Sequence, residues 1–146
     1  MPAGRGFAPI CGLGSIGAYA TAISAEELVA RLRAHCAPPW ILAAGRRPET
    51  VHCVALCAGS GSELAELALS QGAGVYITAE VKHHVARWAE DAGIWILDAG
   101  HFPTENPAMP LFARDLRELF AERHWEIPIE LAEQTTPLGL LWPPAA

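Results

Sequence analysis

Three apolar runs, each followed by a stretch that can form a helix, constrain this chain more than any other feature. Val51–Cys57, Gly74–Thr78 and Ile94–Leu97 are short and continuously apolar, as strands covered on both faces are. Helices are expected over about Glu63–Gln71 and Val81–Asp91, and a loop with a helix ending near His124 follows the third run. Strands alternating with helices at this spacing predict an α/β fold: a mostly parallel or mixed sheet of about four to five strands, with helices packed on it. Upstream, Ser24-Ala25-Glu26-Glu27 has the form of a capping box. The helix it opens would carry Leu28, Val29 and Leu32 and stop at Pro38-Pro39. An extended piece at Trp40–Ala44 and a last strand at Ile127–Leu131 complete the expected elements. Residues 1–146 are read as one domain. Within it, 1–23 is a poorly defined amino-terminal segment and 135–146 an apolar, proline-containing tail.

Composition narrows the function classes. The hydrophobic fraction is 51% against 18% charged, which suits well-covered strands and small helices and also a surface held for a partner. The net charge is −6 and Arg46-Arg47 is the densest basic pair, so direct binding of nucleic acid is not expected. No stretch approaches the roughly 18–20 apolar residues of a membrane span. Met1–Ala22 carries only Arg5 as a charge and no clear cleavage pattern, and it is read as mature sequence. The spacing of Cys53 and Cys57 is not that of a zinc knuckle or redox pair. With Cys11 and Cys36 they are expected to be free thiols in a reducing, cytoplasmic setting.

In open α/β sheets, ligands bind outside the carboxyl ends of the strands. The first run ends in Gly59-Ser60-Gly61-Ser62 and the second in Thr78-Ala79-Glu80, with Lys82-His83-His84 close behind. The third ends in Asp98-Ala99-Gly100-His101, and Glu105 follows four residues later. Carboxylates, imidazoles and a glycine-rich turn should therefore share one edge. Pro103 argues against a continuous helix through His101 and Glu105. His101 is thus placed at a strand end and Glu105 at the mouth of the next helix. An imidazole and a carboxylate there could bind a divalent ion; a loop histidine and a helix-start glutamate are the plainer reading. Gly59, Ser60, Gly61 and Ser62 could offer backbone amides to an anion, or could simply make a tight turn. Gly12-Leu13-Gly14-Ser15-Ile16-Gly17 matches a dinucleotide fingerprint, but no strand precedes it and no helix follows, so the match is discounted.

Three ordered blocks carry a resemblance. Val54-Ala55-Leu56-Cys57-Ala58-Gly59-Ser60-Gly61-Ser62, then Val75–His84, then Asp98–Glu105 are similar to the NIF-three-like family, often described as GTP cyclohydrolase I type 2 homologues. The resemblance runs from about Gly14 to about Leu138 and implies one half, the carboxy-terminal one, of a fold built of two related α/β halves. It implies a metal-dependent hydrolase with a pair of divalent ions (Zn, Fe, Mn or Mg). His101 and Glu105 fall on the ligands supplied by this half, and Glu80 and His84 fall on pocket positions suited to assist proton transfer. It further implies a homo-oligomer, hexameric as in the family. The family's amino-terminal half, with its paired histidines and aspartate, has no counterpart here, so the remaining ligands would come from a missing half or a second chain. Ser15 stands where the family has an arginine, Ala79 where it has glycine, and Asn106-Pro107 where an arginine-containing stretch is common. The alternative is a non-catalytic oligomerisation or binding module that keeps the scaffold.

Overall fold

The computed structural model describes residues 12–140. Its centre is a five-stranded mixed sheet. The strands are β1 (Ser15–Ser24), β2 (Leu42–Ala44), β3 (Thr50–Ser60), β4 (Val75–Ala79) and β5 (Trp95–Asp98), in the spatial order β1-β3-β4-β5-β2. The three apolar runs form the parallel centre β3-β4-β5, and both edges are antiparallel additions.

Helix α1 (Ala25–Cys36) starts where Ser24 Oγ accepts the Glu27 N–H at 3.1 Å, the cap its sequence predicts. Its Leu28 and Leu32 pack on one sheet face with Val75, Trp95 and Leu97. The other face carries α2 (Ala65–Ser70), entered through a single 3-10 turn (Ser62–Leu64), and α3 (His83–Ala92). There Ala65, Ala68 and Ala89 meet Tyr76, Ile94 and Ile96. Alternate residues of β4 and β5 thus feed opposite cores, which explains why these runs are apolar throughout. The chain closes with α4 (His101–Glu105) and α5 (Ala108–Glu122). Cys36, Cys53 and Cys57 are free thiols, and burial pushes that of Cys36 up; Cys11 lies outside the described residues, as does the tail beyond residue 140.

Three expectations change. The segment before residue 24 is not poorly defined where it is described: it supplies β1, which pairs with β3 from Ser15↔Leu56 to Ser24↔Thr50, with a register shift between Ala18 and Ile23. The end of the Gly12–Gly17 match therefore lies in an edge strand and opens no helix. Ile127–Leu131 forms no strand and pairs with neither edge of the sheet. Its Ile129 carbonyl instead accepts from the Arg117 guanidinium, at 3.1 and 2.9 Å. Finally, His101 and Glu105 do share one continuous helix, α4. Pro103 is its third residue, where a backbone N–H has no intrahelical partner to lose.

Candidate metal centre

Register brings the chemistry together. In the parallel ladders Ser60 pairs with Ala79 and Thr78 with Asp98, so β3, β4 and β5 end level with one another. The residues just beyond those ends leave the sheet at one edge.

Asp98, the last residue of β5, is 5% exposed. One carboxylate oxygen accepts the Val81 N–H at 2.8 Å and the other accepts the Gly100 N–H at 3.0 Å. A single buried carboxylate therefore ties the turn after β4 to the turn after β5. Ser62 makes the matching tie from β3: its hydroxyl donates to the Glu80 carbonyl at 3.0 Å and accepts the Lys82 N–H at 3.1 Å. Between these two anchors Glu80 sits at φ +56, in the left-handed region that costs an L side chain roughly 1–2 kcal/mol.

The Glu80 carboxylate reaches His101 Nδ1 at 2.9 Å, and the opposite ring nitrogen, Nε2, lies 3.2 Å from Glu105 Oε1. The four-residue spacing of His101 and Glu105 on α4 makes the second contact. Gly59, at φ +68, lies directly beneath: a methyl there would run into the Glu105 carboxylate and His101 Nε2. Its N–H is held by Thr104 Oγ1 at 2.9 Å, which fixes α4 against the end of β3. The site opens into a cavity of about 270 Å³ whose lining includes Trp40, Glu80, His101, Phe102, Glu105 and Leu138.

Some sequence candidates stand apart from this group. His84 and His83 begin α3, exposed, and line no part of that cavity. His84 and the nearer Lys82 act on Glu63 instead; the hydrogen bond from Lys82 Nζ is the main reason that carboxyl lies below its usual range. Of the four turn residues, the Gly59 amide and the Ser62 hydroxyl are engaged inside the protein. Asp98 and Thr104 were missed as site-building groups. The one available signal was their position at the mouths of β5 and α4, since nothing in residue type separates a latch from a ligand.

As a cradle for a divalent ion, the arrangement fits in kind and falls short in number. An imidazole nitrogen and a carboxylate converge over a glycine, with a second carboxylate behind the ring, as metal-bound histidines are commonly arranged. Among the described residues, however, no three His, Cys, Asp or Glu side chains surround a common point. A four-coordinate site needs further donors.

Residues 4–137 match the family model described as Duf34/NIF3 (NGG1p interacting factor 3). Among curated relatives, a GTP cyclohydrolase 1 type 2 homolog of Nostoc sp. is 29% identical over 125 residues, covering 84% of this chain and 46% of the relative. One of Streptomyces coelicolor is 30% identical over 128 residues, covering 86% of this chain and 45% of the relative. The chain thus spans about half the length of these relatives. A Bacillus cereus protein related to NIF3 shares the fold, with a TM-score of 0.80 at 24% identity over 89% of this chain and 36% of that one.

Proposed function

Because the chain belongs to the Duf34/NIF3 family, we propose that it supplies half of a divalent-metal centre, with His101 Nε2 and Glu105 as its two ligands. The observation that carries this reading is one imidazole with a carboxylate at each nitrogen. A neutral ring donates through one nitrogen only. With Nδ1–H given to Glu80, Nε2 turns a lone pair toward the Glu105 carboxylate. In that tautomer two acceptors face each other, and a divalent ion between them would join them, as a proton on Nε2 would in its place.

The remaining ligands would come from the half of the relatives that this chain does not match, or from another copy in a homo-oligomer, hexameric in the family's manner. A pair of ions there (Zn, Fe, Mn or Mg) would lower the pKa of a bound water and polarise an electrophile, the chemistry of a hydrolase. His101 and Glu105 would hold the ion, the Gly59 backbone would leave room for it, and Trp40 and Phe102 would keep one side of the cavity dry. His84 has a weaker place in this scheme, since it lies outside the cavity lining.

Metal content per chain, measured by mass spectrometry on the purified protein, tests the reading, with His101→Ala and Glu105→Gln beside it. The expected result is bound metal that both substitutions remove, rising when the complementary half is co-expressed. Equal metal in all three proteins refutes the assignment.

A second reading is favoured by a separate observation. Helix α5 buries only Ala113, leaving Leu111, Phe112 and Leu119 open, and Ile16 on β1, Leu56 on β3 and Leu67 on α2 are exposed as well. An assembly module that keeps the scaffold would present such surface. Light scattering with and without EDTA separates the two, because this module would assemble regardless of the chelator.

A further inference from the structure

We infer that Glu80 is a positioning residue: its carboxylate holds His101 through Nδ1, from a strained turn that Ser62 and Asp98 lock in place. The inference deepens the metal reading above and rests on it for its consequence, though not for its geometry.

The backbone at position 80 is strained. Glycine is the residue that takes a positive φ without penalty, yet position 80 carries a glutamate at φ +56. Such strain persists where the surroundings over-determine it, and here they do. The Glu80 carbonyl is held by the Ser62 hydroxyl, the next amide by Asp98 and the one after by Ser62 again. Three hydrogen bonds from the ends of two neighbouring strands therefore fix the turn, and they act on its backbone alone. They would form equally well around a glycine.

The side chain has a partner of its own. Glu80 Oε1 lies 2.9 Å from His101 Nδ1, and the same ring presents Nε2 to Glu105. A carboxylate behind the ring stabilises the tautomer protonated at Nδ1, which leaves the Nε2 lone pair free for a cation. That is a different task from proton transfer to a substrate, because Oε1 is engaged with the ring. The left-handed turn is what aims the side chain there: at negative φ, with the carbonyl and both following amides still held, the Cβ would leave the backbone in another direction.

Glu80→Gly separates this role from a structural one, because glycine suits the turn and lacks the carboxylate. Ring-nitrogen NMR shifts of the metal-free chain, followed upward in pH until they no longer change, report the tautomer, with His101 assigned from His101→Gln. The wild type should show His101 protonated at Nδ1, and Glu80→Gly should shift it toward the Nε2-protonated form. The melting temperature of Glu80→Gly should be unchanged or up to roughly 3 °C higher. Zinc affinity should fall roughly 10- to 100-fold, with partial recovery in Glu80→Gln, whose carbonyl can still accept from Nδ1. Identical His101 shifts in wild type and Glu80→Gly would overturn the inference, as would a melting temperature lowered by more than about 5 °C, which would make the side chain a fold element. Should the ring respond as expected while the wild type retains no zinc, the positioning role stands and the metal reading falls.

Discussion

Replacing Asp98 by asparagine is the most demanding test of how the site is built, because the two side chains differ by little more than a charge and an acceptor. Asp98 accepts two backbone N–H groups, one per oxygen, while 95% shielded from solvent. Asparagine can satisfy one of them through its carbonyl. The other then meets an amide NH2, donor against donor. Hydrogen bonds to a charged group contribute about 1.5–3 kcal/mol, and a buried donor left unsatisfied costs a similar amount. Against this, asparagine spares the protein the burial of a charge. If the two amides already compensate that burial, the loss dominates and the variant should be about 2–3 kcal/mol less stable. At a urea slope of about 2 kcal/mol/M this moves the unfolding midpoint down by about 1–1.5 M. Hydrogen exchange should locate the damage, with the Val81 or Gly100 amide losing protection before the α1 face of the sheet does. A midpoint within about 0.3 M of wild type, with both amides still protected, would refute the claim that Asp98 latches the two turns.

Two further outcomes follow from the same geometry. Gly59→Ala places a methyl at φ +68 against the Glu105 carboxylate and His101 Nε2. It should cost about 1–2 kcal/mol and, unlike a remote substitution of equal cost, should also lower metal retention; full retention in a destabilised variant would separate the glycine from the site. Burial pushes the Tyr76 hydroxyl up to about 12, and that hydroxyl donates to the Gly61 carbonyl at 2.7 Å. A raised folded value means the neutral form is favoured by folding. Its contribution is complete below the unfolded value near 10 and is lost as pH rises from there through about 12. Alkaline unfolding curves should therefore flatten in this window for Tyr76→Phe, which should itself cost about 1 kcal/mol, because the Gly61 carbonyl loses one of its two hydrogen bonds and keeps that from the Leu64 N–H. An unchanged alkaline limb would count against the assignment.

The parallel centre was legible because its strands are buried on both faces, and continuous apolar runs leave little choice. β1 was not. Ser15–Ser24 is an edge strand of small residues with Ile16, Tyr19 and Ile23 as its few large apolar side chains, so its pairing comes from the β3 ladder rather than from any pattern of its own. Pro103 misled for the opposite reason. Its rule holds for helix interiors, and α4 is so short that its third residue still lies in the first turn. At the site, the rule of strand ends correctly brought Glu80, His101 and Glu105 to one edge. It could not say which groups face outward. Gly59 and Ser62 look like offers to a ligand in the sequence, and in the fold they hold Thr104 and Glu80. Asp98 looks like one more acid at a strand end and is the group on which two turns depend. Whether a polar atom serves the fold or a ligand is decided by partners far away in the chain, which short-range patterns do not record.

The distribution of these ties bears on how half a metal centre could be held ready. Ser62 leaves from the end of β3, Glu80 from β4, Asp98 and His101 from β5 and the helix after it. Every tie between them joins neighbouring strands at the same level of the sheet. Their relative placement is thus inherited from the parallel register, which the two apolar cores stabilise from both faces. Donors arriving from a second half or a second chain would need to supply number and not order. On the proposed reading the His101–Glu105 pair stands in place before any ion arrives, so the entropy of arranging it would be met in folding rather than in binding. On this argument, loosening the core beneath β4 and β5 should weaken metal retention even where no ligand is touched, whereas α5, which packs so little of its length, should be open to substitution without effect on the ligands.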